Sequence, residues 1–314
     1  MHSLRFSPVS WAIAILMLFL PSACATPSPV PPWLDAFHRV PVKTVLVDGY
    51  RIAYLDEGHG PPVILVHGFG GSLWQWEYQH EPLSASHRVI TLDMLGAGFS
   101  EKPDLAYTPD QLVEFFSHFM DALQIPRASL VGNSMGAGLV IGMALTYPER
   151  ADRLVLITGL PSQVREKLTS PFLKRALHSW IPAWLADFGN RFAGRNVTRK
   201  VLDELIYDHT LVTADVLDRS YRNRKRAGTI RPLLKTARNL PLWEEGFAKR
   251  LGEIRHPTLI IWGAEDRVFP PQVGQDLHAV IPASVLELVP KAGHIPMWER
   301  PDLVNPLLMK FLQP

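Results

Sequence analysis

The sequence predicts an α/β fold, a mostly parallel sheet with helices on both faces and an inserted all-helical segment. Three observations predict it. Short apolar runs alternate with helix-patterned stretches through the first half of the chain. The alternation then stops between Leu160 and about Arg238. Two further apolar runs follow before the C-terminus. In order, 43–47 and 51–55 read as strands joined at Asp48-Gly49, a hairpin signal. Residues 63–66 and 88–92 are the next strands. Residues 109–123 form a helix, with Leu112, Phe115, Phe116, Phe119 and Leu123 on one face. A strand at 129–131, a helix at 135–147 and a strand at 153–157 complete the first half. Strands return at 258–262 and 284–288, and a helix at about 302–312 closes the chain.

The chemistry centres on Gly132-Asn133-Ser134-Met135-Gly136, placed between the strand at 129–131 and the following helix. G-x-S-x-G in a strand–turn–helix setting puts a serine hydroxyl on a sharp turn at a helix N-terminus. There it can attack a carbonyl while backbone N–H groups receive the oxyanion. A chance pentapeptide in a glycine-rich turn is the bland alternative, and three more segments weigh against it. Val66-His67-Gly68-Phe69-Gly70-Gly71 ends a strand in a flexible loop. The N–H groups of Phe69 and Met135 are the expected oxyanion donors, and His67 is expected to brace the loop. Trp262-Gly263-Ala264-Glu265-Asp266 carries two adjacent carboxylates after a strand; Asp266 is the expected orienting acid and Glu265 its rival. His294, in the loop after the last strand, is the expected base.

The order Ser134, Asp266, His294 is that of the α/β-hydrolase fold. Asp93-Met94-Leu95-Gly96-Ala97-Gly98-Phe99-Ser100 is similar to the D-x-x-G-x-G-x-S turn such proteins carry after the fourth strand. From residue 42 to 314 the chain resembles this family, in its serine-nucleophile, esterase- and lipase-like subgroup with a helical cap. The resemblance implies a hydrolase core at 42–159 and 239–314 and a cap at 160–238 that covers Ser134 and forms an apolar pocket. Phe172, Trp180, Trp184, Phe188, Phe192, Tyr207 and Tyr221 lie in the cap, and two or three of them are expected to line that pocket.

A net charge of +2 with no basic tail argues against a nucleic-acid binder. Cys24 is the single cysteine, so no disulfide or cysteine-based metal site forms within the chain. No H-E-x-x-H spacing and no dinucleotide loop is present, so neither a metal nor a cofactor is expected. Arg5 precedes ten consecutive apolar residues, 11–20, then Pro21-Ser22-Ala23-Cys24. This reads as a signal peptide over 1–23 with a lipid-modified Cys24. Pro21 departs from the leucine of a bacterial lipoprotein signal, and Ala23-Cys24-Ala25 also suits ordinary cleavage to a soluble exported form. Residues 24–41 read as a proline-rich tether, with four prolines in 26–32. The chain is thus expected in the cell envelope, with membrane attachment through Cys24, or in the periplasm.

The main expectation is hydrolysis of a small apolar carboxylic ester through an acyl-enzyme on Ser134. The alternatives are a meta-cleavage-type C–C bond hydrolase, a cofactor-free perhydrolase, and a hydrolase-fold binding protein with vestigial turnover. The C–C hydrolases resemble this chain around Gly132–Gly136 and at Trp298. They usually carry H-G-x-G-P-G where this chain has His67-Gly68-Phe69-Gly70-Gly71-Ser72, and they act on cytosolic catabolites. Those two departures place the ester reading first.

Overall fold

The structure is a computed structural model and describes residues 40–177 and 181–313. The signal peptide, Cys24 and nearly all of the tether therefore lie outside the described residues. So does Trp180.

Eight strands form one sheet: β1 (Lys43–Val47), β2 (Tyr50–Glu57), β3 (Pro62–Val66), β4 (Arg88–Leu92), β5 (Ala128–Asn133), β6 (Ala151–Ile157), β7 (Thr258–Gly263) and β8 (Ser284–Val289). Their spatial order is β1-β2-β4-β3-β5-β6-β7-β8. β1 pairs antiparallel with β2, and β2 antiparallel with β4; every other pair is parallel. The central strands are largely apolar because both faces are covered. Val63, Leu65, Val131, Val155 and Ile261 point to one face, and Ile64, Leu130, Leu154, Leu156 and Ile260 to the other.

Among helices of nine residues or more, α1 (Pro109–Ala122) and α2 (Met135–Thr146) belong to the first half. α1 starts at Thr108, whose hydroxyl accepts from the Gln111 N–H, with Pro109 at the first helical position. α2 is apolar on all sides and almost wholly buried. Between β6 and β7 no strand forms among the described residues. Its longer helices there are α3 (Ala183–Phe192), α4 (Arg195–Leu205), α5 (Ala214–Arg224) and α6 (Ile230–Arg238). α7 (Gln272–Val280) and α8 (Pro301–Leu312) complete the set. Parallel strands bring β3, β4, β5, β6, β7 and β8 to the same edge at their C-terminal ends. The loops that carry Phe69, Asp93, Ser134, Thr158, Asp266 and His294 all leave from that edge.

Candidate active site

Ser134 stands between β5 and α2 with φ 53° and ψ −113°, a conformation that few side-chain-bearing residues adopt. The turn closes only because its flanks are glycine. A Cβ on Gly132 would collide with the Gly136 backbone, and one on Gly136 would collide with the Val66 carbonyl. The Ser134 N–H donates to Ile157 O at 2.9 Å, which anchors the turn to β6. The hydroxyl thus sits at the head of α2, where the first peptide N–H groups have no helical acceptor.

Asp266 and His294 meet. The imidazole Nδ1 lies 2.9 Å from Asp266 Oδ2, and both side chains are almost fully buried. Asp266 Oδ1 accepts from the N–H groups of Val268 (2.7 Å) and Phe269 (3.2 Å), so the carboxylate is held on both sides. This bond makes Nδ1 the protonated nitrogen and leaves Nε2 as the available base. Glu265 has a different place. Its Oε2 accepts from the Ala292 N–H at 3.1 Å and braces the loop that carries His294. The two loops pack backbone to backbone, since a Cβ on Gly263 would strike the carbonyls of Ala292 and Gly293.

The oxyanion loop joins the serine turn through side-chain amides. The Gly68 N–H donates to Gln75 Oε1 (2.9 Å), and Gln75 Nε2 donates to Asn133 Oδ1 (2.8 Å). Asn133 Nδ2 then donates to Thr158 Oγ1 (2.7 Å) and to the His294 carbonyl (3.1 Å). The Thr158 hydroxyl donates to the same carbonyl at 2.8 Å. One asparagine therefore ties the nucleophile turn, the oxyanion loop and the histidine loop together. Gly68 approaches so closely that an added Cβ would lie 3.3 Å from Ser134 Cβ. Among the described residues, the N–H groups of Phe69 and Met135 have no protein acceptor. His67 is fully buried; its Nε2 accepts from the Met94 N–H at 3.1 Å, and burial lowers its pKa. A neutral ring that joins two loops is a structural brace.

Sequence reasoning missed Glu299. Its Oε1 accepts from the Gly293 N–H (2.7 Å), and its Oε2 accepts from the N–H groups of Tyr207 (2.7 Å) and Asp208 (3.4 Å). The His294 N–H donates to Leu205 O at 2.7 Å beside it. The helical insertion and the histidine loop are thus stitched by one buried carboxylate. Burial pushes that carboxyl up to about 7, against the pull of three N–H donors. Only the pattern of an acid five residues after His294 was visible beforehand, and it carried no signal. Glu77 is a second such junction. It accepts from Trp298 Nε1 and from Arg219 on α5, and all three are buried.

An apolar cavity opens beside the serine turn, lined by Met135, Leu139, Leu160, Tyr107, Trp243 and Phe247. Two or three of seven cap aromatics were expected there; the side chains of Phe172 and Trp180 lie outside the described residues, and none of the other five lines the cavity. Trp184, Phe188, Phe192 and Tyr207 are exposed, and Tyr221 lies under Arg195. Trp243 and Phe247 come from the segment just after α6, which the sequence pattern assigned to the core. Helical periodicity marks an apolar face but not which neighbour that face meets. Among the described residues no group of three His, Cys, Asp or Glu could hold a metal ion.

A serine on this turn, an aspartate-held histidine and a sheet of this order define an α/β-type hydrolase architecture. The family model for the alpha/beta hydrolase fold matches residues 61–301, and the chain belongs to that family. It is 30% identical over 275 residues to a 2-hydroxy-6-oxo-6-phenylhexa-2,4-dienoate hydrolase of Burkholderia cepacia, covering 85% of this chain and 92% of that one. It is 31% identical over 264 residues to the 2-hydroxymuconate semialdehyde hydrolase of Pseudomonas sp. (strain CF600), covering 80% and 87%. Among solved structures it is similar to the meta-cleavage product hydrolase from Pseudomonas fluorescens IP01, with TM-score 0.74, 30% identity and coverage of 87% and 97%.

These relatives correct the expected reaction. They are named for hydrolysis of meta-cleavage products, which breaks a C–C bond, and not for ester cleavage. The physical reason for the error is plain. A serine turn and an aspartate–histidine pair present the same nucleophile and base to an ester and to a ketone with a stabilised carbon leaving group. The ester reading rested on the oxyanion loop and the N-terminal segment, neither of which touches that choice. Trp298 and the serine turn, which pointed to the other class, were the better signal.

Proposed function

We propose that this hydrolase cleaves the C–C bond of a 2-hydroxy-6-oxo-2,4-dienoate that carries an apolar group on C6. The observation that carries the reading is the near-full-length similarity, at 30–31% identity, to enzymes named for that substrate class. The apolar cavity beside the serine turn supports the apolar substituent, since no charged side chain lines it.

Each part then has a task. The dienol must first ketonise, moving a proton from the 2-hydroxyl to C5. The C6 ketone is then an ordinary electrophile. Ser134 Oγ adds to it as His294 Nε2 takes the proton, and Asp266 holds the ring. The oxyanion on C6 falls to the N–H groups of Phe69 and Met135. When the C5–C6 bond breaks, its electron pair spreads through C4 and C3 to the oxygen on C2. A 2-hydroxypenta-2,4-dienoate leaves, and water releases the C6 fragment from Ser134 as a carboxylic acid. One water is consumed, and no oxidant or metal enters the balance.

Loss of the substrate's visible absorbance, with chromatography of both products, tests this. The 6-phenyl and 6-methyl dienoates should turn over faster than one with a carboxylate-bearing tail. Absence of turnover on all three removes the reading. We also propose export of the chain and lipid attachment at Cys24. Intact mass of the native protein tests both: a chain beginning at Thr26 without lipid mass overturns the lipid attachment and leaves plain export, and an uncleaved chain beginning at Met1 overturns export.

A further inference from the structure

Helix α3 turns its apolar side outward. Trp184, Leu185, Phe188 and Phe192 are exposed by 64%, 42%, 51% and 75%. At about 100° per residue these four share one sector roughly 100° wide. The rings of Phe188 and Phe192 meet edge to face at 5.2 Å. Asn190, on the opposite side, is fastened to the C-terminal end of α5. Its side-chain amide donates to Arg224 O at 3.1 Å and its side-chain oxygen accepts from the Arg224 guanidinium. Lys225 Nζ reaches the carbonyls of Asn190 and Arg191. The polar side is thus bolted down and the aromatic side faces solvent. So contiguous an apolar patch is uncommon on a soluble surface and marks an interaction site.

The charge around it is mainly positive, with Arg195 paired to Asp218 (2.5 Å) and Arg199 to Asp203 (3.0 Å). Arg175, Arg191 and Arg195 are exposed, and Arg191 lies within about 20° of Trp184 on the helix. From 171 to 201 the chain carries Lys174, Arg175, Arg191, Arg195, Arg199 and Lys200 against the single acid Asp187.

We propose that the α3 stripe docks on an anionic lipid bilayer, with the aromatic rings in the headgroup region and the arginines on lipid phosphates. An amphipathic helix with Trp and Phe on one side and cations beside it has the chemistry of an interfacial element. A second copy of this chain fits less well. A two-fold contact through the stripe would bring the same cations face to face. The apolar run at 11–20 and the tether that follows would, on the export reading, also bring the chain to a membrane.

The test uses the full chain carrying Cys24→Ser, so that lipid attachment cannot account for binding. Sedimentation with vesicles of phosphatidylcholine and phosphatidylglycerol at 3:1 should show binding at least about tenfold tighter than to phosphatidylcholine alone. The triple change Trp184→Ser, Phe188→Ser, Phe192→Ser should lose about tenfold or more while dienoate turnover and circular dichroism stay unchanged. Trp184→Phe should still bind but lose the fluorescence quenching that brominated lipid causes in the parent. Arg191→Gln with Arg195→Gln should weaken binding only to the anionic vesicles. Equal binding by the triple variant and its parent overturns the proposal, as does no preference for anionic vesicles. A dimer seen by ultracentrifugation that the triple variant abolishes, without vesicle binding, gives the stripe to a second copy and also overturns it.

Discussion

Ser134→Ala removes one hydroxyl from a turn whose shape is set by Gly132 and Gly136, so the fold should survive. Turnover of the dienoate should fall by roughly 10⁴–10⁶, read in a steady-state assay. Asp266→Asn should be comparably damaging, because an amide cannot stabilise the imidazolium and favours the wrong tautomer. Glu265→Gln should lower turnover less than tenfold or so, since its carboxylate accepts one N–H from the loop and an amide oxygen can do the same. If Glu265→Gln is the worse of the two, the orienting acid is misassigned. Glu299 gives a pH prediction. Its carboxyl is raised to about 7 from 4.5, first by burial, so the folded protein holds a proton that the unfolded chain has lost. Its contribution to stability is therefore complete below about pH 4.5 and is lost as pH rises through 7. The loss is on the order of 3 kcal/mol. Glu299→Gln should flatten that slope when unfolding is followed in urea from pH 4.5 to 8.

The elements meet at a few buried polar junctions. Glu77 follows the short helix Leu73–Trp76, Trp298 sits in the turn after His294, and Arg219 lies on α5. Glu77 joins all three. Glu77→Ala would leave the Trp298 indole N–H without its acceptor and remove one carboxylate from a buried arginine. Stability should drop by roughly 3 kcal/mol, measured as a lower urea midpoint at unchanged slope. Replacing Thr158 by Val tests the other junction. It removes a donor to the His294 carbonyl at the end of β6, so kcat should fall about tenfold with little change in KM if the histidine loop shifts. An unchanged kcat would mean Asn133 alone holds that carbonyl.

Across the whole molecule, the parallel sheet gathers every reactive loop at one edge, and the helical insertion is stitched to that edge by Glu299, Glu77 and Asn223. Asn223 Nδ2 donates to Gly70 O at 3.3 Å and so reaches the oxyanion loop from α5. Asn223→Ala should raise KM for the dienoate several-fold before it alters thermal stability, because it loosens a glycine loop and not the core. A parallel loss of Tm would make it an ordinary packing residue. The chain carries no helix, among the described residues, that is long and apolar enough to cross a membrane.

The sequence by itself determined the strands, the serine turn and the order of the site. Strand positions were legible because a doubly covered parallel strand reads as a near-continuous apolar run, as 63–66 and 259–262 do. The turn was legible because only glycine fits at 132 and 136. Ser134, Asp266 and His294 could be singled out because each lies in the loop that follows a strand. The tertiary structure decided what surrounds them. That Gln75, Asn133 and Thr158 form one hydrogen-bonded chain depends on three loops meeting, and no spacing encodes it. That Glu299 is buried and Trp184 exposed depends on how the insertion sits on the sheet. Helical periodicity is the same for a face turned inward as for one turned to solvent, so only the packed chain could separate the Trp243 that lines the cavity from the Trp184 that does not.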